Sequence, residues 1–223
     1  MEEKLKKPAA FFMFIIALAG WFALAMQLYI TIENRIANDL SIAGGVFNFF
    51  SYFTILTNIL VAFCLTICLI KPGSGLGNFF SAASVKAGIA VYIIIVAVVY
   101  NLVLKQLWNP KGLQLIADII LHQAIPAAYV LYWLVFAPKG SLNWSHPFKW
   151  LLYPLFYLLY VLVRGGIIGR FPYPFLDVSQ LGIERVSTTI LVMTGGFTGT
   201  GLLLLLIDNL MSKKPENKKR RKL

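Results

Sequence analysis

Six long apolar segments constrain the fold of this chain more than any other feature. Each can cross a hydrocarbon core of roughly 30 Å, which takes about 20 residues of helix. Only helices and closed barrels satisfy every backbone N–H and C=O in lipid, and these continuous runs lack the alternation of barrel strands. We therefore predict an all-α polytopic membrane protein with six transmembrane helices in one bundle. The segments cover approximately residues 9–31, 46–70, 84–104, 113–136, 147–164 and 183–210.

The composition leaves room for one membrane domain. The chain is 59% hydrophobic and 13% charged, whereas soluble domains contain about 25% charged residues. Residues 1–212 hold the six-span domain, and residues 213–223 form a basic tail. Several connections are short and combine Pro with Gly, as in NPKG at 109–112. Consecutive helices are therefore predicted to be antiparallel neighbours.

The positive charge lies beside the apolar segments and does not indicate a nucleic-acid partner. The net charge is +11, and seven of the 20 Lys and Arg residues lie in the tail. Such flanks attract anionic lipids by roughly 1 kcal/mol per cation. Six spans put both termini on one side, which collects 14 of the Lys and Arg residues against six on the other. The positive-inside rule then predicts that both termini are cytoplasmic.

A polar seam crosses the second apolar segment. Ser51, Thr54 and Asn58 are spaced by three and four residues, so on a helix they share one face. Polar groups in a membrane helix turn toward protein or toward a water-filled cavity. The seam therefore holds helices together or lines a functional site.

His122, in the fourth segment, favours a functional site. Counted from the expected outer helix ends, Thr54 is eight residues along and His122 is nine residues along. At 1.5 Å per residue these positions are roughly 12 and 14 Å deep, nearly the same level. Other polar residues also collect in the outer halves of the segments, and the inner halves contain far fewer polar residues. An ionisable residue within a span is a functional hypothesis by default.

These residue types fit nucleophilic catalysis. A threonine hydroxyl becomes a useful nucleophile when a neutral imidazole takes its proton, and a third group commonly orients the imidazole. We predict Thr54 as the nucleophile and His122 as the base. Asp118, four residues before His122, is the expected orienter, with Asn101 as a substitute. Thr57 competes with Thr54, and Asp118 could instead pair with interfacial lysines.

The supporting residues are predicted from spacing alone. Asn58 is one turn beyond Thr54 and could donate to a developing oxyanion. Arg164 ends the fifth segment and could pair with a substrate carboxylate, or act as an interfacial anchor. Tyr157 and Tyr160 continue on one face below Arg164, where they line a substrate pocket or serve packing.

Two further patterns have structural interpretations. Gly195 and Gly199 form a small-xxx-small pair, for which packing within the chain is favoured over dimerisation. Cys64 and Cys68 are one helical turn apart in an apolar run, which is not a zinc-ligand spacing. We expect no metal site and no cofactor.

Three stretches resemble a bacterial family of small six-span integral membrane proteins. They are FSYFTILTNIL (50–60), LHQAIPAAYVLYWLVFAPKG (121–140) and YPLFYLLYVLVRGGIIGRFPYPFLDV (153–178). The resemblance covers nearly the whole chain except the tail, and the arginine-glycine motif with its following YPYPFLD-like run is quite specific. Here Arg170 and Phe171 precede the first proline of that run. The resemblance implies a bacterial cytoplasmic membrane protein.

That family is in turn similar to the androgen-induced membrane hydrolases. Those six-span enzymes use an intramembrane Thr and His to cleave fatty acid esters of hydroxy fatty acids. Their Thr follows an aromatic-rich stretch, which matches Tyr52-Phe53-Thr54, and their His matches Leu121-His122. The resemblance implies a lipid-ester hydrolase with an acyl-ester substrate. A small transporter or channel and a non-enzymatic lipid-binding membrane protein are the alternatives.

Overall fold

The computed structural model describes residues 2–212, with side chains from residue 7 onward. The predicted tail at 213–223, its cytoplasmic position and its lipid contacts lie outside the described residues. Regular structure in the described part is helical. The α-helices are α1 (Glu2–Ala37), α2 (Ile42–Phe49), α3 (Phe53–Ile70), α4 (Gly75–Ser81), α5 (Ala83–Val99), α6 (Leu113–Ile119), α7 (Ile125–Phe136), α8 (His146–Lys149), α9 (Leu152–Ile168) and α10 (Val178–Met211).

Six helical stretches in the described residues are long and apolar enough to cross a membrane, which confirms the predicted all-α polytopic bundle. The second and the sixth stretches are α3 and α10 alone, whereas the other four join or trim neighbouring elements. The stretches are Lys7–Ala37, Phe53–Ile70, Ala83–Leu107, Leu113–Phe136, His146–Ile168 and Val178–Met211. Length and apolar composition therefore indicate an integral membrane protein.

Two of these spans contain wide π-helical turns, at Tyr100–Leu104 after α5 and at Ile120–Ala124 between α6 and α7. Pro126 explains part of the second, since it has no N–H to donate to the carbonyl of His122 four residues earlier. Such turns are frequent at functional sites. A short 3-10 turn, Lys105–Leu107, ends the third span.

The second predicted segment is not one helix, so the single-face prediction for the polar seam was wrong at Ser51. The chain leaves helical geometry between α2 and α3, and α3 begins at Phe53. The Ser51 hydroxyl donates to the carbonyl of Phe47 at 2.8 Å, while its own carbonyl accepts from the Tyr157 hydroxyl at 2.9 Å. A side chain from α9 therefore satisfies a carbonyl that lies outside the helical bonding, as an apolar environment requires.

The core is built mainly from α3, α5 and α7. Val61, Leu65, Ile93, Ile125 and Tyr129 are all at most 2% exposed. Aromatic rings join this core to α9 and α10 through edge and tilted contacts around Phe53. The α8–α9 span is the least buried of the six.

The small-residue pair in α10 does not pack within the chain, contrary to the prediction. A Cβ atom at Gly195 or Gly199 would meet nothing within 4 Å. Gly201 makes the close contact of this helix instead, since a Cβ there would lie 3.1 Å from Pro147.

Buried polar groups also occur at the end of the bundle opposite Thr54, where we expected few. Asp208 is 1% exposed and accepts from the backbone N–H groups of Gly140 and Leu142 at 3.0 and 3.1 Å. Lys86 is buried beneath the ring of Tyr132. The expected concentration of polar groups in one half of the bundle was therefore incomplete.

The close packing of α5 against Trp150 predicts a large difference between two glycines. A Cβ atom at Gly88 would lie 2.7 Å from Cδ1 of Trp150, whose indole N–H is fixed by the carbonyl of Ser84. We expect Gly88→Ala to lower the free energy of unfolding by about 1–3 kcal/mol. Thermal unfolding in detergent, followed by circular dichroism, measures it. Gly199→Ala is the matched control, and equal midpoints for both variants would contradict this packing.

Candidate functional site

A cavity of about 460 Å³ lies where α1, α3, α6 and the helical turns that follow α5 (residues 100–107) meet. Thr54 and His122 both line it, which brings together the two residues that the depth argument pairs. We call it the Thr54 cavity. Its further lining includes Gln27, Thr31, Asn48, Phe49, Tyr52, Ile55, Tyr100, Leu104, Leu107, Trp108, Gln114, Leu121, Pro172 and Tyr173. The mixture of aromatic, apolar and a few polar groups is typical of small-molecule sites.

Thr54 lies in the first turn of α3. Its backbone N–H has no partner within the helix and donates to the hydroxyl of Tyr173 at 3.4 Å. Burial raises the pKa of Tyr173, so its hydroxyl stays protonated at neutral pH. The connection between α9 and α10, which contains Tyr173, thus reaches the start of α3.

His122 is held by Asp118 and Tyr100. The imidazole Nδ1 lies 3.0 Å from the carbonyl oxygen of Asp118 and 3.1 Å from its carboxylate Oδ1. Both neighbours are acceptors, so Nδ1 carries the proton of the neutral ring, and Nε2 is left as the basic atom. The ring stacks on Tyr100 with centroids 3.7 Å apart. The hydrogen bond of Nδ1 is made to the carbonyl, while the buried Oδ1 lies beside the ring, where an orienting carboxylate is expected, without a hydrogen bond of its own among the described residues.

Asp118 is itself fixed by a chain of donors. The Tyr100 hydroxyl donates to its Oδ2 at 2.5 Å, and the indole N–H of Trp108 donates to the Tyr100 oxygen at 3.2 Å. Asp118 therefore does not need the interfacial lysines suggested as alternative partners. Its side chain is almost completely buried, which makes these partners necessary.

Asn58 connects the two sides of the cavity but does not line it. Its amide nitrogen donates to the carbonyl of Thr54 at 2.8 Å and to the carbonyl of Leu121 at 3.1 Å. Both amide hydrogens are occupied, so Asn58 is not available as the predicted oxyanion donor. Because Leu121 precedes His122, this bridge holds Thr54 and His122 at one level.

Thr54 and His122 both line the cavity, but in the described part of the chain no hydrogen bond joins their side chains directly. Thr57 is fully buried, and its hydroxyl pairs with Tyr153 at 3.3 Å. It is absent from the lining of the cavity, so Thr54 is the threonine that a ligand there would meet. Asn101 is exposed and donates to the carbonyl of Ala97, away from Asp118 and His122.

The residues predicted to bind substrate are dispersed. Tyr157 donates to Ser51 and lines a second, apolar cavity. Tyr160 pairs with the Ser51 hydroxyl at 3.1 Å and lines neither of these two cavities. Arg164 lines a third cavity and donates to Oδ1 of Asn48 at 3.3 Å.

The apolar cavity has a volume of about 260 Å³ and lies between α5, α9 and α10. Tyr173 and Leu104 line both it and the Thr54 cavity, and so form the wall between them. Phe53 lines the apolar cavity, whereas its neighbour Thr54 lines the Thr54 cavity.

Sequence reasoning missed several cavity residues. Tyr100, Trp108 and Tyr173 are aromatic residues near span ends, where aromatic residues are ordinary interfacial anchors. Gln27 and Gln114 form a reciprocal amide pair across α1 and α6, at 3.3 and 2.7 Å. The sequence places glutamines in two of the apolar segments, and this pattern could have predicted that side chains from the two segments pair.

The fold and site define a six-span, all-helical membrane protein with a largely apolar cavity that contains a few polar side chains. No family model, curated protein or solved structure matches the chain. Within the part of the chain that the structure describes, no three His, Cys, Asp or Glu side chains are placed to hold a metal ion.

The Tyr100 bond to Asp118 yields a stability prediction. Tyr100→Phe removes one donor from a buried carboxylate, and we expect a loss of about 1–2 kcal/mol in the free energy of unfolding. Tyr29→Phe is the matched control, because Tyr29 is more than half exposed. Thermal unfolding in detergent compares the two variants, and an unchanged Tyr100→Phe midpoint would show that the bond contributes nothing.

Proposed function

We propose that the protein is an intramembrane hydrolase of lipid esters that uses Thr54 and His122. The carrying observation is that both residues line one cavity while Asp118 occupies Nδ1 of His122. The free Nε2 then serves as the base that a threonine nucleophile needs. The absence of a direct Thr54–His122 hydrogen bond is compatible with this role, since catalytic hydrogen bonds are often long before substrate binds.

The reaction proceeds through an acyl-enzyme. The Thr54 oxygen attacks the ester carbonyl carbon while Nε2 of His122 takes the hydroxyl proton. The ester C–O bond breaks, and the alcohol leaves with that proton. Water then attacks the acyl-threonine and gives a proton to His122. The acid leaves as the proton returns to the Thr54 oxygen, so the enzyme is restored without a cofactor.

Tyr173 replaces Asn58 as the proposed oxyanion donor. The Tyr173 oxygen accepts from the N–H of Thr54, so its own proton can be donated to the substrate oxygen. The first turn of α3 adds partial positive charge from its unpaired N–H groups. Both contributions act on the charge that develops in the transition state.

The substrate class follows from the adjoining apolar cavity and from the family resemblance. The apolar cavity opens between helices whose surroundings are lipid chains, and it shares a wall with the Thr54 cavity. An acyl chain in the apolar cavity would place its ester end at the wall formed by Leu104 and Tyr173, and these side chains would have to move for the carbonyl to reach Thr54. The similarity of Tyr52-Phe53-Thr54 and Leu121-His122 to the androgen-induced hydrolases supports fatty acid esters of hydroxy fatty acids as the type of substrate.

We also propose how the protein is oriented in the membrane. With both termini in the cytoplasm of a bacterial cell, the Thr54 end of the bundle faces outward and the substrate enters from the outer leaflet.

A matched pair of threonine variants tests the nucleophile. Thr54→Val removes the hydroxyl at the cavity, and Thr57→Val makes the same change one turn away, outside the cavity. We expect Thr54→Val and His122→Ala to lower the rate of long-chain ester hydrolysis at least about a hundredfold. Thr57→Val should retain activity. Purified protein in detergent with a fluorogenic acyl ester measures the rates.

Wild-type rates in both Thr54→Val and His122→Ala would exclude hydrolysis by this pair. If their thermal stability also fell, the non-enzymatic alternative would apply, in which these residues serve as packing between helices.

Covalent labelling gives an independent test. A long-chain fluorophosphonate transfers its phosphonyl group to an activated hydroxyl. We expect a single adduct on the peptide that contains Thr54, lost in Thr54→Val and in His122→Ala. Peptide mass spectrometry locates it, and an adduct on Thr57 would contradict the assignment.

A small transporter or channel is the second candidate, because Asp208 and Lys86 are buried at the opposite end of the bundle. A polar route through the bundle would have to connect Thr54 and His122 with Asp208 and Lys86. Fully buried apolar residues of α3, α5 and α7 lie between these two groups, among them Val61, Ile93 and Ile125. Flux in proteoliposomes that depends on His122 would favour this candidate.

A further inference from the structure

A third cavity, of about 570 Å³, carries an unusual density of positive charge. Arg35, Arg164 and Arg170 all line it, from α1, α9 and the loop after α9. We call it the arginine cavity. Its other lining residues are Gly44, Phe47, Asn48, Tyr52, Ile168, Gly169, Phe171, Asp177 and Gln180.

The one carboxylate in that lining is Asp177, and one of its two oxygens, Oδ1, is engaged within the chain. Asp177 caps the start of α10 and accepts from the N–H groups of Ser179 and Gln180 at 3.0 and 3.2 Å. Among the described side chains, no carboxylate lies within ion-pair distance of any of the three arginines; the single acid–base pair is His122 with Asp118. Three arginines therefore line one cavity together with a single carboxylate, and none of them is ion-paired with it.

Two of the arginines are held in place by uncharged oxygens. Arg35 donates to the carbonyl of Ser41 at 3.0 Å. Arg164 donates to Asn48 Oδ1 and to the carbonyl of Arg170, both at 3.3 Å. These bonds fix the side chains but do not compensate their charge. Several guanidinium groups that line one cavity suit the planar, bidentate recognition of phosphate or carboxylate.

The arginine cavity is continuous with the proposed site, because Asn48 and Tyr52 line both it and the Thr54 cavity. Arg164 is also bonded to Asn48, the shared wall residue. An amphiphile could thus extend from the arginine cavity past these side chains toward His122.

We propose that the arginine cavity binds the anionic group, phosphate or carboxylate, of a membrane lipid. The inference rests on the proposed function only for the statement that this lipid is the substrate. Anion binding is measurable without hydrolysis, so the two proposals can fail separately.

Lipid binding by purified protein in a neutral detergent tests this inference. Native mass spectrometry compares ether-linked phosphatidic acid, palmitic acid and the matching ether-linked neutral glycerol lipid. None of these has an ester to cleave. We expect the wild type to bind at least one anionic lipid about tenfold more strongly than the neutral lipid. Phosphatidic acid and palmitic acid together identify which anion is preferred.

Arginine variants locate the binding. Arg170→Gln is the principal variant, because the Arg170 side chain makes no hydrogen bond that the fold requires, and Arg164→Gln is the second. Each should lower the ratio of anionic-lipid affinity to neutral-lipid affinity about tenfold. Arg185→Gln, an exposed arginine of α10 outside the cavity, is the matched control and should bind like the wild type.

Equal binding of anionic and neutral lipids would overturn the inference, as would equal losses in Arg170→Gln and Arg185→Gln. Inorganic phosphate tests the other source of the anion. If phosphate alone raised the unfolding temperature of the wild type but not of Arg170→Gln, the cavity would bind free anions, and the assignment to a lipid would be wrong.

Discussion

The side chain of Asn58 connects the two parts of the bundle on which the Thr54 cavity depends. An amide in an apolar interior must satisfy its donors, and this one donates to backbone carbonyls on two different spans, those of Thr54 and Leu121. The carbonyl of Leu121 lies in a π-helical turn, where the regular helical ladder is interrupted. One side chain therefore stabilises an irregular backbone and aligns the proposed nucleophile with the proposed base.

A second constraint acts at the start of α3. Ending α2 before Ser51 exposes backbone groups that water would satisfy in a soluble protein, whereas in lipid other parts of the chain must supply the partners. Tyr157 from α9 and Tyr173 from the connection between α9 and α10 do so. The same tyrosines line the apolar cavity, so the residues that stabilise the break also shape the space proposed for an acyl chain.

Some of these relations were accessible from sequence and others were not. The pairing of Thr54 with His122 was predicted from depth counted along two segments; both residues line one cavity, although α3 begins at Phe53 and not near residue 46 as that count assumed. The position of Asp118 one turn before His122 follows from helical spacing, which depends only on local geometry. Asn58 and Asn101 have equally suitable spacing, yet one amide is consumed by a bridge and the other donates to its own helix. Spacing gives the position of a side chain along a helix, but its hydrogen-bond partners depend on which neighbour lies opposite.

The sequence by itself determined the six-span, all-helical architecture, because a long apolar segment must satisfy its backbone internally and a helix does so without reference to other segments. The tertiary structure alone decided that the second segment breaks at residues 50–52, that Thr54 and not Thr57 faces the cavity, and that Tyr173 reaches it from a distant loop. Each of these outcomes depends on a hydrogen bond between residues far apart in the chain. Local pattern carries no information about such bonds.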